Sequence, residues 1–250
     1  MEGEMAAPID HSGEESVKPG TKQAKYLYDL ASRYYNGDGV RKDVRRAYSL
    51  TKQAALEGDL DAMDALGSCY LYGIGIRRNS RLAVRWYKES AEKGNLNAQY
   101  NLAACYAEGC GVRRDYKQSV FLLRQPVLKG IPEALDMLGY FYRYGCGVAT
   151  NTRKGFRLQL QAAKEGYAPA QFSVGYCYSK GQGTSSDPRK AFYWYMRAAK
   201  HGNPEAQYNV GYYYEVGRGV RPNIPAARKW YRAAARQGDR DAKDGLRRLR

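Results

Sequence analysis

Histidine is nearly absent, and this scarcity limits the chemistry open to the chain. The 250 residues include only His11 and His201, so no Ser-His-Asp or Cys-His catalytic set can be assembled. The five cysteines show none of the spacings that are typical of zinc sites. We therefore predict no catalytic residues, no metal site and no cofactor, and we expect neither enzymatic activity nor a small-molecule substrate.

Long apolar runs are also missing. No stretch approaches the roughly 18 apolar residues of a membrane-spanning helix, so no membrane span is expected. The segment from Met1 to Met5 has neither the cationic start nor the apolar run of a secretory signal. The odd cysteine count fits a reducing compartment better than an oxidising one. The sequence therefore predicts a cytoplasmic protein that does not contact membranes.

Phenylalanine is scarce, whereas tyrosine and positive charge are abundant. The chain has 24 tyrosines against 5 phenylalanines and a formal net charge of +16. A tyrosine ring can pack against apolar groups while its hydroxyl group meets water. The excess of positive charge indicates attraction to acidic partners, but it carries no information about the fold.

Glycine and tyrosine recur every 36 residues without an insertion. A Gly-x-Gly motif begins at Gly37, Gly73, Gly109, Gly145, Gly181 and Gly217. A tyrosine stands three residues before each motif, at Tyr34, Tyr70, Tyr106, Tyr142, Tyr178 and Tyr214. A period of this length is typical of stacked helix-turn-helix repeats, in which each pair of helices buries its apolar face against its neighbours.

Each repeat is predicted to hold two helices, A and B. Apolar residues such as Ala62, Leu66 and Tyr70 share one face of helix A. The Gly-x-Gly motif ends that helix, because glycine adopts the left-handed conformation at little cost. Helix B then begins after a preferred N-cap residue. These N-cap residues are Asp43, Asn79, Asp115, Asn151, Asp187 and Asn223.

The repeat defines the domain organisation. Residues 1–22 are acidic and poor in apolar groups, and they are predicted to form a disordered tail. Residues 23–250 are predicted to form one unbroken array of about thirteen helices and no strand. Its units span about 25–60, 61–96, 97–132, 133–168, 169–204 and 205–240, with a half-repeat cap at 241–250. The fold class is therefore an all-α solenoid.

A bulky column and two irregular positions stand out in helix B. Trp86, Trp194 and Trp230 recur at one position and are predicted to lie in the core. Pro126 falls inside the third helix B, where proline should kink or shorten the helix. Gly155 replaces the alanine that most repeats carry in this helix. These irregularities put local regularity in question, but they do not affect the fold class.

The repeat resembles the Sel1-like repeat family, which is related to the tetratricopeptide repeats. Residues 97–103 (NAQYNLA) and 205–211 (EAQYNVG) match the family pattern, as do the Gly-x-Gly-Val segments. The resemblance covers about residues 24–250. It implies a right-handed α-solenoid superhelix of antiparallel helix pairs that serves as a scaffold or adaptor. It also implies that a partner binds on a concave surface lined mainly by helix A.

Aromatic and charged residues form a stripe on helix A opposite its apolar face, which is typical of protein-binding hot spots. We predict that a protein or peptide partner binds at Asn101, Tyr140, Arg143, Tyr144, Tyr176, Asn209 and Tyr212. The alternative is that some of these rings only cover neighbouring helices, as Tyr100, Phe172 and Tyr208 would do. The sequence leaves both interpretations open.

Arginine pairs at the turns between helices form a second candidate surface, the basic edge. It consists of Arg77, Arg78, Arg113 and Arg114. It either keeps the chain soluble or contacts an acidic partner. Nucleic acid is a disfavoured alternative, because the charge is spread along the array and no aromatic RNA-binding motif is present. The family resemblance adds a third hypothesis, an immunity or host-interaction protein with one dedicated partner.

Overall fold

The structure is a computed structural model that describes residues 21–249. Most of the predicted acidic tail, residues 1–20, therefore lies outside the described residues. The described residues form fourteen helices and no strand. They are α1 (Lys22–Asn36), α2 (Val44–Leu56), α3 (Leu60–Tyr72), α4 (Ser80–Glu92), α5 (Leu96–Glu108), α6 (Tyr116–Leu122), α7 (Arg124–Leu128), α8 (Pro132–Tyr144), α9 (Thr152–Lys164), α10 (Ala168–Lys180), α11 (Pro188–Lys200), α12 (Pro204–Val216), α13 (Ile224–Arg236) and α14 (Arg240–Arg248).

Helices A and B alternate along the chain as the repeat predicts. α1, α3, α5, α8, α10 and α12 are the A helices, and α14 is the capping half-repeat. Each A helix packs on the B helix that follows it. The six predicted N-cap side chains all accept a hydrogen bond from a backbone N–H group of the helix they begin. The predicted start of every B helix is therefore confirmed.

The second repeat shows why each Gly-x-Gly motif needs both glycines. Gly73 has a φ of 75° and its N–H group donates to the carbonyl oxygen of Cys69, which closes α3. Gly75 has a φ of 71°, and a Cβ atom there would lie 2.3 Å from the carbonyl oxygen of Val44. The first glycine therefore reverses the chain, and the second allows it to approach the start of the preceding B helix.

Tyrosines, rather than tryptophans, fill the space between helices A and B. The rings of Tyr87, Tyr195 and Tyr231 are at most 2% exposed. Each ring packs so closely on a glycine of helix A that a Cβ atom on that glycine would lie within 2.7 Å of it. The three glycines are Gly67, Gly175 and Gly211.

The prediction that the tryptophan column forms the core is therefore wrong for two of its three members. Trp194 is buried, but Trp86 and Trp230 are only half-buried. The reason is geometric, because the position that faces the helix A glycine is the residue after each tryptophan. The tryptophans lie at the edge of that contact.

The third helix B is broken, as Pro126 predicts. It consists of α6 and α7, separated at Leu123, and it raises the number of helices from the expected thirteen to fourteen among the described residues. The chain divides into two compact units at this break, one ending at Leu123 and the other beginning at Arg124. The sequence predicts an unbroken array instead. The break in helix B accounts for the difference, because proline cannot donate the backbone hydrogen bond that would continue α6.

Candidate protein-binding surfaces

Six of the seven predicted partner-binding residues belong to the second unit, and three of them cluster at the end of α8. The rings of Tyr140 and Tyr144 are each 49% exposed, and their centroids are 4.6 Å apart. The guanidinium group of Arg143 lies 5.1 Å from the Tyr144 ring and 5.4 Å from the Tyr176 ring of α10. Arg143 therefore links the tyrosines of two successive A helices.

Arg143 itself is buried, which corrects the prediction that it lies on the accessible stripe. It is 5% exposed. Its Nη1 donates to Oε1 of Gln159 at 2.9 Å, and its Nη2 donates to Oε1 of Gln182 at 2.5 Å and to the hydroxyl oxygen of Tyr144 at 3.2 Å. Nε is buried without a hydrogen-bond partner among the described residues. Arg143 can therefore position the tyrosines, but it offers little surface to a partner.

Asp136 completes this buried network. Gln159 accepts from Arg143 and donates through Nε2 to Oδ1 of Asp136 at 2.8 Å. Burial raises the pKa of the Asp136 carboxyl group to about 6, although hydrogen bonds from Gln159 and Ser173 and the charge of Arg143 act in the opposite direction. Gln159 therefore connects a buried cation, which contacts the Tyr144 ring, to a titratable carboxyl group.

Tyr176, Asn209 and Tyr212 meet in a groove in the same unit. The groove has a volume of about 470 Å³ and is bordered by residues of α10, α12 and the start of α14. Tyr176 and Tyr212 are half-buried, so one part of each ring packs on the core while another part faces the groove. Asn209 donates to the backbone carbonyl oxygen of Glu205 at 2.7 Å. The structure thus brings these three predicted residues together.

The rings of Phe172 and Tyr208 match the alternative interpretation, in which aromatic residues of helix A cover neighbouring helices. Phe172 packs on Tyr195 with ring centroids 5.7 Å apart, and Tyr208 packs on Tyr231 at 5.6 Å. These two rings therefore contribute to the contact between helices A and B. We define the tyrosine surface as Tyr140, Tyr144, Tyr176 and Tyr212 and keep that name below.

Asn101 lies in the first unit, apart in sequence from the tyrosine surface. Its Nδ2 donates to Oδ1 of Asp64 at 2.8 Å, which joins α5 to α3. Burial raises the pKa of the Asp64 carboxyl group to about 6. This bond gives Asn101 a structural role within the unit, whatever its role toward a partner.

The basic edge also belongs to the first unit. Arg77, Arg78, Arg113 and Arg114 are all exposed at the turns that precede α4 and α6. The Arg114 guanidinium lies 5.9 Å from the Tyr116 ring. Their exposure is compatible with both predicted roles, solubility and contact with an acidic partner.

Two residues of α9, Gly155 and Gln159, depart from the repeat pattern, and these departures are visible in the sequence. Only the structure shows that both of them contact Arg143. A Cβ atom on Gly155 would lie 2.6 Å from Cγ of Arg143, so the loss of alanine at this position makes room for the arginine. Gln159 likewise stands where three other repeats have a tyrosine. Both departures lie on one face of α9, and they mark where the buried arginine inserts.

Residues 21–249 were searched for clusters of metal ligands and for membrane-spanning helices. No group of three or more His, Cys, Asp or Glu side chains within this range could hold a metal ion. In the same range, no helix is long and apolar enough to cross a membrane. All five cysteines are free thiols, and Cys69, Cys105 and Cys177 are buried.

The described residues form successive helix pairs that end in a half-repeat, and the B helices begin at N-cap residues in equivalent positions. These features define an all-α solenoid repeat protein. The sequence pattern of the Sel1 repeat matches six segments, which cover residues 22–59, 60–95, 96–125, 132–167, 168–203 and 204–239. The chain belongs to the Sel1 repeat family. The third match ends just before Pro126, where the third helix B is broken.

Solved structures of Sel1 repeat proteins resemble this chain closely. A Sel1 repeat protein from Oxalobacter formigenes is 28% identical, with a TM-score of 0.81 over 92% of this chain and 67% of that one. A protective antigen of uropathogenic Escherichia coli with an SLR fold is 31% identical, with a TM-score of 0.72 over 90% of this chain and 48% of that one. This chain therefore spans about two thirds and about half of the lengths of these two proteins.

A more distant similarity concerns the fold alone. An immunity protein from Pseudomonas aeruginosa is 20% identical, with a TM-score of 0.60 over 88% of this chain and 84% of that one. No curated protein matches the sequence. The comparisons therefore establish the family and the fold, and proteins of this family generally mediate protein–protein interactions.

Proposed function

We propose that the protein is a non-catalytic scaffold that binds a protein or peptide along the A helices of its second unit, at the tyrosine surface. The observation that supports this most directly is the aromatic cluster around Arg143. A buried guanidinium contacts Tyr144 and Tyr176, and Tyr140 packs on Tyr144 with half of its own surface exposed.

Ordered aromatic rings suit protein recognition for a physical reason. A tyrosine has few rotatable bonds, so it loses little conformational entropy when it is buried at an interface. Fixing the rings in advance, through Arg143, reduces that cost further. The groove beside Tyr212 adds both signs of charge, because Lys180 and Arg218 border it together with Glu205. Such a surface can pair with polar groups of a partner at its rim.

Two other functions are weaker candidates. The basic edge could bind nucleic acid or another acidic partner in the first unit, and the exposure of its four arginines favours that function. The fold of the Pseudomonas aeruginosa immunity protein favours a role in neutralising one dedicated partner. A cytoplasmic location fits each of these roles, and none of them needs a cofactor.

Site-specific photocrosslinking tests the proposal in the source cells. A photoreactive benzoyl-phenylalanine replaces Tyr176 or Tyr212 in one variant each, and Tyr193 in a control. Tyr193 is a 52% exposed tyrosine on a B helix of the same unit. We expect one protein to crosslink to the first two variants, with nuclease treatment making no difference, and not to the control.

The crosslink should also depend on the tyrosine surface. Replacing Tyr140 and Tyr144 with serine should weaken it, since these rings adjoin Tyr176 through Arg143. Equal crosslinking from all three positions, or a crosslink that disappears with nuclease, would contradict the proposal. The second of these outcomes would favour nucleic acid as the partner.

A further inference from the structure

The first unit contains a cavity at a place that a tyrosine fills in three other repeats. The cavity measures about 340 Å³ and lies among α1, α2 and α3, with Ala31 and Thr51 in its wall. Thr51 stands at the repeat position of Tyr87, Tyr195 and Tyr231. The ring of each of those tyrosines packs on a glycine of helix A. In the first repeat the smaller Thr51 faces Ala31, and space remains between the helices.

Aromatic rings and one carboxylate line this cavity. Tyr28 and Tyr35 come from α1, Tyr48 from α2 and Asp64 from α3. Tyr35 is 44% exposed, so the cavity can be reached from solvent. The hydroxyl groups of Tyr48 and Tyr70 are hydrogen-bonded at 2.9 Å, which fixes the Tyr48 ring. The lining is therefore formed before any ligand arrives.

The one charged side chain that lines the cavity, Asp64, is acidic, although the chain as a whole is strongly basic. Burial, with the charges of Asp61, Asp64 and Asp59, raises the pKa of the Tyr28 hydroxyl group to about 12. Asp64 is itself largely buried, and its hydrogen-bond partner is the neutral amide group of Asn101. A cation that reached Asp64 would therefore gain a desolvated carboxylate as its partner.

We propose that this cavity binds the guanidinium group of an arginine side chain presented by a protein partner. A guanidinium is planar, stacks on tyrosine rings and donates two parallel hydrogen bonds to a carboxylate, so it matches both the shape left by the missing ring and the Asp64 side chain. The Tyr35 ring already lies 5.4 Å from the ammonium group of Lys42, which shows that this ring is accessible to a cation.

The cavity lies entirely in the first unit, so it does not depend on the tyrosine surface of the second. An arginine bound there would give a partner an additional anchor. The proposal can therefore hold if the tyrosine surface has no partner, and it can fail while that surface binds one.

An NMR titration tests the proposal with defined probes. The full chain, labelled with ¹³C in its tyrosine rings, is titrated with the blocked tripeptide Gly-Arg-Gly and with the same tripeptide carrying citrulline, a neutral analogue of arginine. We expect the arginine peptide to bind about tenfold more tightly or better, and to shift the ring signals of Tyr28 and Tyr48. The net charge of +16 opposes nonspecific binding of a cation.

Three variants connect the binding to the cavity. The double variant Ala31→Gly with Thr51→Tyr restores the glycine–tyrosine pair of the other repeats, and it should fill the cavity and abolish binding. Ala31→Gly alone leaves the cavity open, so it is the reference for the double variant, and the double variant should bind the arginine peptide at least about tenfold more weakly than it does. Asp64→Asn keeps an acceptor for Asn101 but removes the charge, and it should also lose at least about tenfold in affinity.

Several results would overturn the proposal. These are equal affinity for the arginine and citrulline peptides, tighter binding of a Gly-Tyr-Gly peptide, or undiminished binding by the filled variant. Should the filled variant fail to fold, Asp64→Asn decides the outcome alone. Unchanged binding by that variant would contradict the proposal, and its loss would support it.

Discussion

At the scale of the residue, the contact between helices A and B depends on a pair of positions twenty apart in sequence. In three repeats a glycine of helix A faces a tyrosine of helix B, as Gly67 faces Tyr87, whereas Gly139 faces Gln159. Where helix A carries alanine, the partner is smaller, as with Ala31 and Thr51. The sequence alone does not reveal this pairing, because the tryptophan that precedes each tyrosine is a more apolar candidate for the core. The pairing becomes clear once the structure shows which face of helix B is turned toward helix A.

The first prediction compares two aromatic residues of helix B. Tyr195→Ala should destabilise the protein by about 3–5 kcal/mol, because the ring is almost fully buried against Gly175 and its loss leaves a void. Trp86→Ala should cost less, since Trp86 is only half-buried. Urea unfolding followed by circular dichroism measures both. Tyr140→Ser serves as an exposed control, and a loss as large as that of Tyr195→Ala would place Tyr140 in the core.

The second prediction concerns the buried carboxyl group of Asp136. Its pKa is raised to about 6 from an ordinary value near 3.8, so the native state binds a proton more readily than the unfolded state. Its contribution to stability is therefore fully present below about pH 4 and is lost as the pH rises through 6. Asp136→Asn should remove this dependence, so its stability relative to the parent protein should be higher at pH 7.5 than at pH 4.5.

Asp187 provides a control, because its pKa is shifted in the opposite direction. Backbone hydrogen bonds from the start of α11 hold the pKa of this exposed carboxyl group below its usual value. Its contribution is therefore present at neutral pH and lost as the pH falls through its lowered pKa. Both pH 4.5 and pH 7.5 lie above this lowered pKa, so Asp187→Asn should change the stability by nearly the same amount at the two pH values. Identical pH profiles for the two variants would contradict the account of Asp136.

At the scale of the element, the ends of helices were predictable and their lateral contacts were not. Caps depend on local chemistry, so Asp43 and the five equivalent residues are recognised directly from their spacing after Gly-x-Gly. Pro126 also acts locally, and the break between α6 and α7 follows from it. The burial of Arg143 depends on Gly155 and Gln159 of another helix, so the pattern of α8 alone could not reveal it.

The third prediction tests the repeat as a unit of folding. Deletion of residues 169–204 removes α10 and α11 together, so the next A helix follows a B helix as before. Because each repeat contacts mainly its neighbours, the shortened chain should still unfold cooperatively, with a proportional loss of helical signal. Deletion of residues 187–204 removes only α11 and places two A helices in succession. That chain should lose cooperative unfolding, and similar melting curves for the two deletions would contradict the repeat assignment.

At the scale of the whole molecule, the two candidate surfaces belong to different units and differ in their chemistry. The tyrosine surface lies after Arg124, and two of its rings contact a buried arginine, whereas the basic edge lies before Leu123 and consists of exposed arginines. The sequence was sufficient to select both sets of residues as candidates. The sequence could not rank the two sets, because the exposed fraction of each tyrosine ring depends on its contacts with neighbouring helices.

The binding affinity of the crosslinked partner, measured by calorimetry at two salt concentrations, tests the central claim most directly. Tyr176→Ser and Tyr212→Ser should each weaken binding by about 2 kcal/mol, the scale of an interface hot spot, with little dependence on salt. Reversing the charges of the basic edge with glutamates at Arg77, Arg78, Arg113 and Arg114 should change the affinity little. Normal binding by both tyrosine variants, together with loss of binding on arginine reversal and a log–log salt slope of about −0.7 to −0.9 per phosphate, would contradict the claim.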